Sequence, residues 1–125
     1  MAADRRHVVI GFDRPEQIRG GFDRLAALAE AGDLKIVDVE FIHSIRGVPS
    51  TVRAGQIDPD LAGYDGANAG LLSQSDLDIV ADAIPVGSMA AVILYDGTSI
   101  GAALTAWSGD GATVIREGLG ASLAG

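Results

Sequence analysis

With 125 residues, 48% of them hydrophobic and 21% charged, the chain has the size and composition of one globular domain, and wholesale disorder is excluded. Seventeen Asp and Glu against nine Lys and Arg leave a net charge of −8, a field that repels phosphate backbones and anionic lipid heads and argues against nucleic-acid and membrane partners. There is no Cys, which removes disulfides, thiolate zinc sites and thiol catalysis.

The opening residues MAADRRHVVIGF hold no apolar core long enough for a signal peptide, and no run approaches the roughly 18 apolar residues of a membrane span. A cytoplasmic protein is the expectation, with its ordered core over about residues 7–119 of a single domain.

Residues 8–13 (VVIGFD) are short, β-branched and aromatic, and read as a buried strand. Asp13 then stands where a helix cap belongs, Pro15 suits the first turn, and Glu16 complements its positive end. Ile18, Phe22, Leu25 and Ala29 form one stripe of an amphipathic helix that Gly32 ends. Within it, Gly20 and Gly21 each cost about 1 kcal/mol relative to Ala and suggest close approach to a sheet.

Residues 34–44 alternate, with Val37, Val39 and Phe41 on one side and Ile36, Asp38, Glu40 and Ile42 on the other. The turn at 46–49 leads into a return strand, expected at 50–57 on the sheet edge. Residues 58–70 read as loop. A short helix follows, capped by Ser73 with Asp76 three residues on, and presenting Leu77, Val80 and Ala81.

The most continuously apolar run is 90–96 (AAVILYD), a second strand ending in an aromatic and Asp, with 96–99 as turn and cap. Ile100, Ala103, Leu104 and Trp107 make a helical stripe, and 112–119 the last strand. VIGFD, helix, IVDVE is thus echoed by VILYD, helix, TVIRE. Two such arms pack as a ferredoxin-like α+β sandwich, an antiparallel sheet with helices on one face.

Both alternation sets of 8–13 and 90–96 are apolar, which implies burial on both faces of the sheet. Leaving them wet forgoes roughly 1.5–3 kcal/mol per large side chain, so a sheet-to-sheet homodimer is expected, with the segment 54–72 folding over the face as the competing explanation.

Candidate site residues are few. Asp13 and Asp96 lie at matching strand ends, where helix capping accounts for both. Asp38 and Glu40 share a face and, with Arg116, would line a cavity in a dimeric barrel with His43 at its rim; the plainer alternative is a solvated or ion-paired sheet face. His7 and His43 are the only histidines, and no second ligand at suitable spacing supports metal or haem. The calcium-like run 58–65 fails at Ala62 and Ala69, and the glycines at 101, 109 and 111 lack dinucleotide-binding spacing. No metal and no cofactor are expected. Trp107 fits the core, while Tyr64 has no evident place.

Leu72-Ser73-Gln74-Ser75-Asp76-Leu77, followed by Pro85-Val86-Gly87-Ser88-Met89-Ala90-Ala91, resembles a family of small uncharacterised bacterial domains of unknown function, with Val86 inserted between Pro and Gly. The similarity spans roughly 8–118. It implies a ferredoxin-like fold and a bacterial origin, and supplies no catalytic residue. Longer relatives, called predicted membrane proteins, carry a glycine-rich apolar hairpin where this chain has only 63–72, so no membrane role carries over. The functional expectation is a non-enzymatic, self-associating accessory, stress-related or regulatory domain with a protein partner. The alternative is a dimeric α+β barrel enzyme or small-molecule binder.

Overall fold

The computed structural model describes residues 5–46, 48–67, 73–97 and 100–120. Five strands form one antiparallel sheet: β1 (Arg5–Phe12), β2 (Leu34–Ile45), β3 (Val48–Val52), β4 (Met89–Gly97) and β5 (Thr113–Leu119), in the order β3-β2-β4-β1-β5. The helices are α1 (Glu16–Glu30), α2 (Ala54–Ile57), α3 (Gln74–Ala83) and α4 (Gly101–Gly109), with a 3-10 segment at Pro59–Ala67. The two most apolar runs, β1 and β4, are neighbours at the centre of the sheet. The region expected as one return strand over 50–57 divides into β3 and α2, and 59–67 is helical rather than loop. The turn residues 98–99 lie outside the described residues, as do 68–70 of the expected loop.

One face of the sheet carries Val8, Ile10 and Phe12 of β1, Val39 and Phe41 of β2, and Ala91, Ile93 and Tyr95 of β4, under Ile18, Phe22 and Leu25 of α1 and Ala103 and Trp107 of α4. Trp107 is fully buried and its Nε1–H donates to the Ile18 carbonyl at 2.9 Å. Gly21 is what lets α4 in. A Cβ there would lie 2.2–2.3 Å from the indole, so the close approach is to Trp107 and not to the sheet.

Where helices were expected on one face only, α3 lies on the other. Val80 and Ile84 pack there with Val9, Ile42, Ala90 and Val92, and α3 rests against β2 and β3. Burial on both faces is therefore reached within a single chain: Val9, Val92 and Leu94 are each at most 1% exposed. The expected two-sided burial is present, but it does not require a second copy.

The alternation of β2 is broken. A register shift between Ile36 and Asp38 absorbs Val37 as an extra residue, so Ile36 joins Val39 and Phe41 in the α1-side core instead of sharing a face with Asp38. Ends of elements are held locally. Ser73 Oγ accepts from the Asp76 N–H while Asp76 accepts from the Ser73 N–H, the expected reciprocal cap of α3.

Asp13 caps nothing. The first residue before α1 is Pro15, without a side-chain cap, and Gln17 Oε1 instead reaches back to the N–H groups of Asp13 and Arg14 at 2.7 and 3.2 Å. Asp13 accepts from Ser88 Oγ at 2.8 Å, and Asp96 pairs with Arg5 at 3.1 Å. A carboxylate at a strand end has neighbours across the sheet as well as a following helix, and here the former win.

Candidate functional site

The second face of the sheet holds most of the polar side chains singled out by sequence. The register defines two rows across it. Arg116, Val9, Val92 and Glu40 form one; Gly118, His7, Leu94 and Asp38 form the next. Asp38 and Glu40 are buried, at 1% and 6% exposure, so of the solvated or ion-paired sheet face expected as the plainer alternative, the solvated form does not hold. Neither is free of interactions.

Within the chain the expected residues lie apart. Asp38 and Glu40 lie on β2 and Arg116 on β5, with β4 and β1 between them, which separates the backbones by about 14 Å at ~4.8 Å per strand. His43 pairs in register with Met89, a residue of the α1-side core, and its Nε2 lies 3.2 Å from the Gly87 carbonyl at the end of the sheet. Asp38 and Glu40 are thus brought together, while Arg116 and His43 are each placed apart.

His7 is buried on the second face. Its ring lies against Gly118, where a Cβ would sit 2.7 Å from the imidazole, and Nδ1 meets the Gly120 carbonyl at 2.9 Å. A carbonyl only accepts, so Nδ1 carries the proton. Nε2 is buried with no hydrogen-bond partner among the described residues.

Between α3 and β5 the same face is incompletely filled. A hollow of about 160 Å³ is bounded by Gly11, Asp13, Ile84, Ser88 and Thr113, and a second of about 240 Å³ by Val9, Ile79, Val80 and Arg116. Both are also lined by Ala83 and Ile115. Gly11 makes room for Ile115, whose Cδ1 would lie 2.7 Å from a Cβ there. Sequence reasoning passed over Ser88, Thr113 and Ala83. The available signal was a hydroxyl residue beside each of the two strand starts that flank the end of β1.

On the opposite face a strap formed by α2 and the 3-10 segment closes the α1-side core. Leu61 is buried, and Tyr64, without an evident place in the sequence, packs on Phe22 with ring centroids 4.9 Å apart and donates to the Phe22 carbonyl at 3.3 Å. Burial pushes its phenol up. Asp58, 3% exposed, ties the strap to α1 by accepting from the Asp60 N–H at 3.0 Å and from Arg19 Nε at 2.7 Å. The Asp60 N–H first, then Arg19, hold its carboxyl below the usual range.

Among the described residues no group of three or more His, Asp or Glu is placed to hold a metal ion, and no helix is long and apolar enough to cross a membrane. A scan against protein-family models finds no match, and comparisons with curated proteins and with solved structures find none either.

Proposed function

We propose that this chain is a non-enzymatic interaction domain of ferredoxin-like topology that self-associates as a homodimer, acting as a cytoplasmic accessory or regulatory module of the bacterial family it resembles. Support for the topology comes from two strand–helix–strand arms, β1-α1-β2 and β4-α4-β5, whose strands interleave in the order β2-β4-β1-β5. Support for a non-catalytic role comes from the separation of Arg116 and His43 from the buried Asp38–Glu40 pair.

One observation carries the self-association. Ile45, Val48 and Val86 are 49%, 63% and 68% exposed, and all three belong to one pole of the sheet, where Gly87 N–H donates to the Ser44 carbonyl at 2.7 Å and Ile45 faces Val48 across the β2–β3 hairpin. Burying three half-exposed aliphatics contributes about 3–5 kcal/mol. That does not exceed the entropy lost on association, so the dimer these three side chains carry is far weaker than micromolar and shows only at the top of a concentration series. Sedimentation equilibrium across a concentration series tests this. Wild type should dimerise and the Val48→Asp, Val86→Asp double variant should stay monomeric; a wild type monomeric throughout, or an unaffected double variant, rejects the reading.

The hollows between α3 and β5 favour a second reading, a small-molecule binder using the second sheet face.

A further inference from the structure

We infer that the hollow of about 160 Å³ at the end of β1 is a site for a primary ammonium group on a short aliphatic chain, that is, for a small alkylamine. This rests on the small-molecule reading above and names the ligand class for one of its two hollows. The alternation of β1, continued one residue past its end, puts Val9, Gly11 and Asp13 on the second face. Gly11 leaves a gap between the other two. Ile84 and Ile115 lie over that gap, 3.5 and 2.7 Å from where a Cβ would be, and close the hollow toward Val9. Ser88 flanks Asp13 on the β4 side, and Thr113, the register partner of Gly11, flanks it on the β5 side. The hollow thus has a polar end at Asp13 and an aliphatic end at the two isoleucines.

Asp13 is held from two sides by polar side chains that are themselves buried, both at 8% exposure. Gln17 accepts from its backbone N–H at 2.7 Å, and Ser88 donates to its carboxylate oxygen Oδ1 at 2.8 Å. The carboxylate so placed caps no helix and forms no ion pair among the described residues, not even with Arg14 next in the chain. A primary ammonium supplies what is missing: a positive charge, with N–H donors for Asp13 Oδ2 and for the Ser88 and Thr113 hydroxyl oxygens. Its alkyl chain lies against Ile84, Ile115 and Ala83. The net charge of −8 attracts cations and disfavours a carboxylate ligand. A quaternary ammonium has no N–H to donate and would need an aromatic cage. The one aromatic among the described lining residues, Phe12, is buried in the α1-side core.

The test is titration of butylamine, butanol, butyltrimethylammonium and butyrate into the intact, isotope-labelled chain at neutral pH and fixed ionic strength. The readout is the amide shifts of Gly11, Ser88 and Thr113, with Val9 and Val80 reporting the second hollow. Butylamine should bind at least tenfold more tightly than the other three, since it alone brings both a charge and N–H donors. Asp13→Asn keeps an oxygen for Ser88 but removes the charge, and should lower butylamine to the level of butanol. Ala83 is exposed, so Ala83→Leu obstructs the wall without entering the core and should weaken every probe. Melting curves confirm that each variant folds. Unchanged butylamine binding in Asp13→Asn overturns the ammonium site. If butanol or butyrate binds as tightly as butylamine, or if only Val9 and Val80 respond, the ammonium site falls while the small-molecule reading stands. If no probe shifts any of these amides at millimolar concentration, both fall.

Discussion

Trp107 and Gly21 are built around one another. The indole occupies the space a Cβ at position 21 would take, and its Nε1–H is spent on the carbonyl of Ile18, one turn earlier in α1. That contact seats α4 against α1 and sets their common packing on the sheet, with Phe22 edge-on to the indole at 5.5 Å.

Two adjacent glycines should therefore respond in opposite ways to alanine. Helix propensity alone favours Gly→Ala by about 1 kcal/mol at either position. Gly21→Ala meets a rigid buried ring and is expected to destabilise by about 3 kcal/mol or more. Gly20→Ala meets only the carboxylate oxygen of Asp110, the far end of a side chain that can turn away, and should be neutral or stabilising. Urea unfolding of the two variants measures both; equal effects would mean that α4 is not seated through Gly21.

The cap of α3 gives a second expectation. Ser73→Ala removes the oxygen that accepts from the Asp76 N–H at 3.2 Å and should cost about 1 kcal/mol. The loss should appear as faster amide exchange in the first turn of α3, and a protection pattern unchanged there would refute the reciprocal cap.

Acid should loosen the strap. Asp58 and Asp96 both have carboxyls held below the ordinary range, the first by the Asp60 N–H and Arg19, the second chiefly by its hydrogen bond to Arg5. A depressed folded pKa contributes stability that is fully present above the ordinary carboxylate range and is lost as pH falls through the folded value. Stability should thus decline from about pH 5 downward. Asp58→Asn should flatten part of that decline, read as urea midpoints against pH, while Tyr64 fluorescence reports release of the strap. An acid limb of unchanged slope in Asp58→Asn would show that the Arg19 tie contributes nothing.

Much of the architecture was legible beforehand because it rests on local signals. The apolar runs of β1 and β4, the stripes of α1 and α4 and the Ser73–Asp76 cap follow from periodicity and capping chemistry, which act over a few residues. The site was far less legible. Asp38 and Glu40 were found as a pair because they are two residues apart on one strand. The α3–β5 hollows went unseen, since Asp13, Ala83, Ser88 and Thr113 lie on four segments that only folding brings together.

The amino-acid sequence by itself determined that β1 and β4 are buried on both faces, for no polar alternation is available to either strand. Only the tertiary structure decided what does the burying, and α3 supplies much of it from within the chain. It also decided that Ile36 turns inward at the bulge and that Asp13 answers to Ser88 and Asp96 to Arg5. The physical reason is common to all of these. Patterning fixes which side chains must leave water, but the partner each one meets is set by contacts between residues far apart in the chain.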